Sequence, residues 1–222
     1  MPKLKIAHLG YGALGSMIAS DIEATGDADI VAVIDPAIDS ALNSIDDFDE
    51  WDDIDCAVVT TRSSVADCMD TFTSLLERGQ TIVSTCEELS WPWLRHGEAA
   101  DTLHRIALAH GGRLLGTGVN PGFLMDSFPL VVARAARRVD SVEVYRIQDA
   151  TTRRLPFRQK IGAGLTRHQF QDRVDSGVLR HVGLGESIHF LAHYLGIEID
   201  DWSESIGPVE GDDGLMTGVR QV

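Results

Sequence analysis

Residues 4–36, LKIAHLGYGALGSMIASDIEATGDADIVAVIDP, decide the fold. The apolar run 4–9 stops at Gly10 and reads as a buried strand. Residues 13–24 then carry Leu14, Met17, Ile18 and Ile22 at the spacing of one helix face. A second, β-branched run over 30–34 is cut off by Asp35-Pro36, because proline cannot continue a ladder. Between the first strand and its helix lies Gly10-Tyr11-Gly12-Ala13-Leu14-Gly15, a G-x-G-x-x-G pattern, and Asp35 follows Gly15 by 20 residues. Strand, glycine turn, helix and a distant acid in that order make a dinucleotide cradle. Gly10 permits the tight turn, Gly12 lets backbone approach a pyrophosphate, and Gly15 lets helix and strand pack closely. The helix start at Ala13 and Leu14 offers free N–H groups and the positive end of the dipole. A carboxylate at Asp35 accepts from ribose hydroxyls and repels a 2′-phosphate, so it tilts the choice between NAD and NADP toward NAD.

The same rhythm continues outward. Strands are expected over 56–60, 81–85 and 113–116, with helices over 65–77 and within 91–110, the latter ended by Gly111-Gly112. The acidic segment 39–55 lacks periodicity and reads as loop with a short helix. Alternation of strand and helix predicts an α/β chain with a Rossmann-type parallel sheet. After Asn120-Pro121-Gly122 the rhythm changes to a helix over 123–136, a half-exposed strand over 141–148, a glycine-rich loop over 161–165, a helix over 187–195 and a strand over 214–222. The division is a dinucleotide-binding domain, 1–119, and a second α+β domain for substrate and dimerisation, 120–222. One or two strands are too few to close a sheet. The second domain is therefore expected to be incomplete, with strands supplied by further sequence or a partner subunit.

Composition removes several function classes. The 222 residues carry a net charge of −15 and no apolar run near the ~18 residues that span a bilayer, so neither nucleic acid nor membrane is an expected partner. The start MPKLKIAHLG lacks a secretory signal, and Cys56, Cys68 and Cys86 lack metal-ligand spacing, which together point to a reducing, cytoplasmic location. His189 and His193 stand at i, i+4 without the surrounding pattern of a zinc helix, so no metal is expected. Thirteen acids and no Lys or Arg fall between Lys5 and Arg62, whereas eight basic residues and three acids fall from Arg146 to Arg180. The first block reads as a solvated face; the second either meets an anionic ligand or pairs with the first.

Chemistry is expected where strands end at the carboxyl edge. Thr85-Cys86-Glu87-Glu88 follows one strand, and in extended backbone neighbouring side chains face opposite ways, so only one of the two carboxylates enters a pocket. That one is either a proton-transfer group or an acid at a helix start. Cys86, beside two acids, reads as a buried small residue rather than a nucleophile. Asn120 lies at the domain junction, as a substrate contact or a hinge. Arg146 and Gln148 alternate onto one face of their strand.

Four stretches together, TCEELSWPW (85–93), TGVNPGFLMD (117–126), RIQDATTRRLPFRQKIGAG (146–164) and HVGLGES (181–187), resemble the 2,4-diaminopentanoate dehydrogenases and the related native amine dehydrogenases, of dihydrodipicolinate-reductase-like architecture. The resemblance implies reversible, NAD(P)-dependent interconversion of an amine with a ketone or aldehyde plus ammonia, in a homodimer. It points to Glu88 as the catalytic carboxylate, with Glu87 as the second candidate, and puts Asn120, Arg146, Gln148 and His181 on the carbonyl side. The cofactor side comprises Gly10, Tyr11, Gly12, Ala13, Leu14, Gly15, Asp35, Thr60, Thr61, Arg62, Thr85 and Cys86. No acid dedicated to a second polar end of the substrate is identified, so a simple aliphatic or alicyclic ketone fits as well as a diamino acid. The competing readings are a cyclic imine reductase of the dihydrodipicolinate type using residues 153–160 for carboxylates, a dinucleotide-holding redox sensor without chemistry, and an ammonia-independent carbonyl reductase.

Overall fold

A computed structural model describes residues 2–149, 158–159, 161–179, 182–212 and 214–222. Its first half alternates β1 (Leu4–Leu9), α1 (Ala13–Thr25), β2 (Ala28–Ile34), β3 (Cys56–Val59), α2 (Val65–Glu77), β4 (Thr81–Ser84), α3 (Gly97–His110) and β5 (Arg113–Gly116). The strands form one sheet in the order β2-β1-β3-β4-β5, every neighbouring pair parallel. The chain leaves β1 toward β2 on one side and returns to β3 on the other, so the crevice between β1 and β3 is the switch point where such sheets bind ligands.

Both faces are covered, which is why the strands read as continuous apolar runs rather than alternating ones. On one face Ala7, Leu9, Ala57, Val59 and Ile82 pack against Val65, Cys68, Phe72, Leu75 and Leu76 of α2 and Leu103 of α3. On the other, Ile6, Ala28 and Val58 meet Ile18 and Ile22 of α1. Phe72, Leu75 and Leu76 are fully buried, and each such side chain contributes roughly 1.5–3 kcal/mol of transfer free energy.

The acidic segment forms two short 3-10 turns, Ile45–Asp47 and Trp51–Asp53, in place of one helix. Trp51 anchors it: the ring is buried, its Nε1 donates to the Ile45 carbonyl at 3.2 Å, and its own carbonyl accepts from Gln80 Nε2 at 2.8 Å. Beyond β2 the sheet continues only as a single parallel bridge, Ile34 to Leu42.

The second half holds α4 (Ser127–Ala133), α5 (Arg167–Asp175), α6 (Leu184–Leu195) and an antiparallel hairpin of β6 (Ile206–Glu210) and β7 (Met216–Gln221). The expected terminal strand is therefore present, paired with a strand that sequence reading did not expect. Two expectations are corrected. The helix over 123–136 is reduced to seven residues: Asp126 makes it start late, as the N-cap that accepts from the Ser127 N–H at 2.5 Å, and it ends at Ala133 with Arg134 as C-cap. The strand over 141–148 is not formed: alternation alone cannot hold a strand without a neighbouring ladder, and none lies beside it among the described residues. Unforeseen α5 begins with a capping box in which Thr166 and Gln169 satisfy each other's backbone N–H. Phe170, Leu179 and Met216 make a small separate core beneath the hairpin.

Candidate active site

The glycine turn closes as its sequence demands. Gly10 adopts φ +87°, and a Cβ there would sit 2.9 Å from Thr61 Cγ2. A Cβ on Gly15 would collide with the Gly10 carbonyl oxygen and lie 2.7 Å from Thr60 Oγ1, so α1 crosses β1 at backbone contact. Around Gly12, by contrast, a Cβ would find no heavy atom within 4 Å. Gly12 is also the N-cap of α1, with no side-chain cap on the first N–H groups. Two glycines thus close the turn and the third leaves it open beside the uncapped N–H groups that start α1. That cradle fits a dinucleotide pyrophosphate.

Asp35, at the end of β2, does more than the ribose contact assigned to its type. Its Oδ2 accepts from the Tyr11 N–H at 2.6 Å and its Oδ1 from the Ala37 N–H at 2.9 Å, so the carboxylate ties the glycine turn to the end of the neighbouring strand. Thr60 does the same from β3: its hydroxyl donates to the Gly10 carbonyl at 2.5 Å and accepts from His8 Nε2 at 3.2 Å. His8 is a residue sequence reading missed. It is fully buried, and burial lowers its pKa below the ordinary 6.5. The signal was a polar residue inside an apolar strand, two positions before Gly10. Thr61 and Arg62 continue from β3 as exposed residues.

Beyond β4, the Thr85 N–H donates to the Val59 carbonyl at 3.1 Å, and Glu87–Ser90 form a 3-10 turn that separates the two carboxylates. Glu88 turns inward. Its Oε2 accepts from the Val65 N–H at 2.9 Å and lies 2.7 Å from His96 Nε2. Glu87 is half-buried, and its Oε2 is shielded from solvent with no hydrogen-bond partner among the described residues. Cys86 is buried, and its thiol donates to the Ser63 carbonyl at 3.2 Å. Burial beside the Cys68 thiol pushes the Cys86 thiol up.

β5 ends against this turn, where the loop toward Asn120 begins: its last residue, Gly116, is so close that a Cβ would be 2.7 Å from the Leu89 carbonyl carbon. Along that loop Asn120 has a second shielded and unpartnered oxygen, Oδ1. The Asn120-Pro121-Gly122 turn is pinned by buried Asp126, whose Oδ2 accepts from the Gly122 N–H at 2.7 Å and the Ser187 hydroxyl at 2.9 Å. Across the top, α6 packs Glu186 on Arg95 at 2.9 Å and Phe190 and His193 on Trp91.

Glu87, Glu88 and Asn120 are therefore gathered on adjoining loops at the carboxyl edge of the sheet. Arg146 and Gln148 are not joined to them among the described residues: both are exposed, and Arg146 donates to Gln148 Oε1 at 3.1 Å. His181 lies outside the described residues, as do Arg153, Arg154 and Lys160 of the basic stretch. His96, Asp126 and Arg95 went unnoticed in the sequence; only the Asp-Ser pair before a helix offered a cue, as an N-cap. No group of three or more His, Cys, Asp or Glu among the described residues is placed to hold a metal, and no helix among them is long and apolar enough to cross a membrane.

Comparison with known proteins follows the same lines. Residues 123–212 match the family model of the 2,4-diaminopentanoate dehydrogenase C-terminal domain. The 2,4-diaminopentanoate dehydrogenase of Acetoanaerobium sticklandii is 25% identical over 96% of this chain, which spans 66% of that relative's length. The fold is shared with an amine dehydrogenase from Mycobacterium smegmatis, at a TM-score of 0.71 and 18% identity, covering 99% of this chain and 74% of that one.

Proposed function

We propose that this chain, whose residues 123–212 match the family model of the 2,4-diaminopentanoate dehydrogenase C-terminal domain, is an NAD(P)H-dependent amine dehydrogenase that reductively aminates a small ketone or aldehyde. Residues 1–119 hold the dinucleotide and 120–222 contribute the substrate pocket and a homodimer contact. One observation carries the reading: two shielded acceptor oxygens, Glu87 Oε2 and Asn120 Oδ1, on the loops leaving β4 and β5, have no partner among the described residues. Buried acceptors are normally paired. A pair left open at the ligand edge of the sheet suits a group with N–H donors and positive charge, as ammonium, a carbinolamine or an iminium has.

In that reading Glu87 is the catalytic carboxylate, because Glu88 is anchored through Oε2 to Val65 and His96, whereas Glu87 Oε2 meets no donor among the described residues. Glu87 accepts a proton from ammonium, freeing the nitrogen lone pair to add to the carbonyl carbon. It returns that proton to the carbinolamine hydroxyl, which leaves as water, and its negative charge then faces the iminium cation. Asn120 orients the nitrogen by accepting one N–H. The reduced nicotinamide, when bound, supplies the hydride that makes the amine. Asp35 repels a 2′-phosphate and favours NADH, although exposed Arg62 beside the cleft is the residue that would meet NADPH.

The experiment is oxidation of NADH and NADPH against a ketone panel with and without ammonium, in wild type, Glu87→Gln and Glu88→Gln. The reading expects oxidation that requires ammonium and falls on the order of 100-fold or more in Glu87→Gln, the scale of lost acid–base catalysis. Oxidation indifferent to ammonium would make the protein a carbonyl reductase. Tight nucleotide binding with no turnover across the panel would make it a sensor.

A further inference from the structure

Glu88 and His96 serve no step of the reaction just described, yet they occupy a buried position between the nucleotide loop and the turn that carries Glu87. We propose that they form a positioning pair that couples these two segments, an inference that rests on the assignment of Glu87. The argument begins at α2. Its N-cap, Ser64, makes no side-chain cap, although the first N–H groups of a helix need acceptors. Glu88 supplies one from another segment, through Oε2 to the Val65 N–H at 2.9 Å. The Glu88 N–H and the Cys86 thiol both donate to the Ser63 carbonyl, each at 3.2 Å. Residues 63–65 and 86–88 are thus latched by three bonds.

His96 holds the latch closed. It is the N-cap of α3, with its own N–H on the Pro92 carbonyl at 2.7 Å and its carbonyl accepting from the Ala100 N–H at 2.8 Å. Those bonds fix the His96 backbone, and from it the ring Nε2 reaches Glu88 Oε2 at 2.7 Å. A charge-assisted bond to a carboxylate 11% exposed is stronger than an exposed one, and its loss leaves a buried oxygen short of a donor. On the other side the latch continues to the cofactor. Thr61 packs on Gly10 of the glycine turn, and Thr60 donates to the Gly10 carbonyl. One chain of contacts therefore runs from α3 through Glu88 and the loop after β3 to the nucleotide cradle, with Glu87 on the peptide adjoining its central member. Loosening His96 frees both ends: the loop that shapes the cradle and the turn that aims the catalytic carboxylate.

The test compares His96→Ala with His96→Gln, whose amide nitrogen can occupy the place of Nε2. NADH affinity is measured by fluorescence titration without substrate, and kcat and KM by ammonium-dependent turnover. The expected result is an NADH Kd raised about tenfold in His96→Ala and restored to within about threefold in His96→Gln, with kcat reduced by at least about tenfold and ketone KM within about twofold. Unchanged Kd and kcat in folded His96→Ala overturn the proposal. So does a loss that His96→Gln fails to restore, since that is the mark of general destabilisation. The titration needs no turnover, so the two readings fail separately. A wild type that aminates nothing while the Kd pattern holds refutes the amine assignment alone; ammonium-dependent turnover with a flat Kd pattern refutes the positioning pair alone.

Discussion

Substituting alanine at Gly12 and at Gly15 should have opposite consequences, although the two glycines are three residues apart in one motif. At Gly15 the added methyl would meet the Gly10 carbonyl oxygen, lie 3.1 Å from the Gly10 carbonyl carbon and 2.7 Å from Thr60 Oγ1. Two of those atoms are backbone, and the hydroxyl is held by the same carbonyl at 2.5 Å, so no side-chain rotation relieves the overlap. Relief requires α1 to lift from the ends of β1 and β3. Overpacking of this kind costs roughly 1–3 kcal/mol, and each kcal/mol moves Tm by about 2–4 °C in a chain of this size, so Gly15→Ala should melt roughly 2–12 °C lower. At Gly12 the methyl meets nothing within 4 Å and the backbone, at φ −69° and ψ −165°, accepts any residue. Gly12→Ala should therefore keep its stability within about 1 kcal/mol while the methyl takes the space of the pyrophosphate, weakening NADH by at least about tenfold, or roughly 1.4 kcal/mol. Differential scanning fluorimetry and NADH fluorescence titration read the two effects independently. A Gly12→Ala protein that binds NADH like wild type would refute the identification of the cradle, and a Gly15→Ala protein with unchanged Tm would refute the packing argument.

Two further outcomes follow from buried polar groups. His8 is held neutral by burial, with its folded pKa below the 6.5 of the unfolded chain. Between those values the unfolded state binds the extra proton, so stability is complete above 6.5 and is lost as pH falls below it; the Tm advantage of wild type over His8→Gln should shrink from pH 7.5 to pH 5, and a constant difference would contradict this. Asp126→Ala strips the acceptor from the Gly122 N–H, the Ser127 N–H and the Ser187 hydroxyl at once, which should cost about 2–5 kcal/mol in urea unfolding; a loss under about 0.5 kcal/mol would mean that water replaces the carboxylate.

Much of this protein is legible in its sequence, for local reasons. Apolar runs bounded by glycine and proline, the spacing from Gly15 to Asp35, and the alternation of strand and helix through Gly116 depend on neighbours a few residues apart, and periodicity reports them directly. Legibility fails where an element depends on a distant partner. Alternation at 141–148 promised a strand, but a strand exists only where another offers it a ladder. No strand was expected at β6, which is held by its antiparallel pairing with β7. The carboxylate pair is the sharpest case. Backbone alternation was expected to part Glu87 from Glu88, but the chain makes a 3-10 turn there instead of extended backbone, and no local pattern says which way each side chain faces. That was decided by the uncapped N-terminus of α2 and the ring of His96, one 23 residues before Glu88 and the other eight after. The sequence by itself determined the sheet, the glycine cradle and the presence of a carboxylate at its edge, because these follow from short-range sterics and pattern. Which carboxylate is anchored was decided only by the tertiary structure, because Glu88 Oε2 is held by donors that folding, and not sequence proximity, brings within 3 Å.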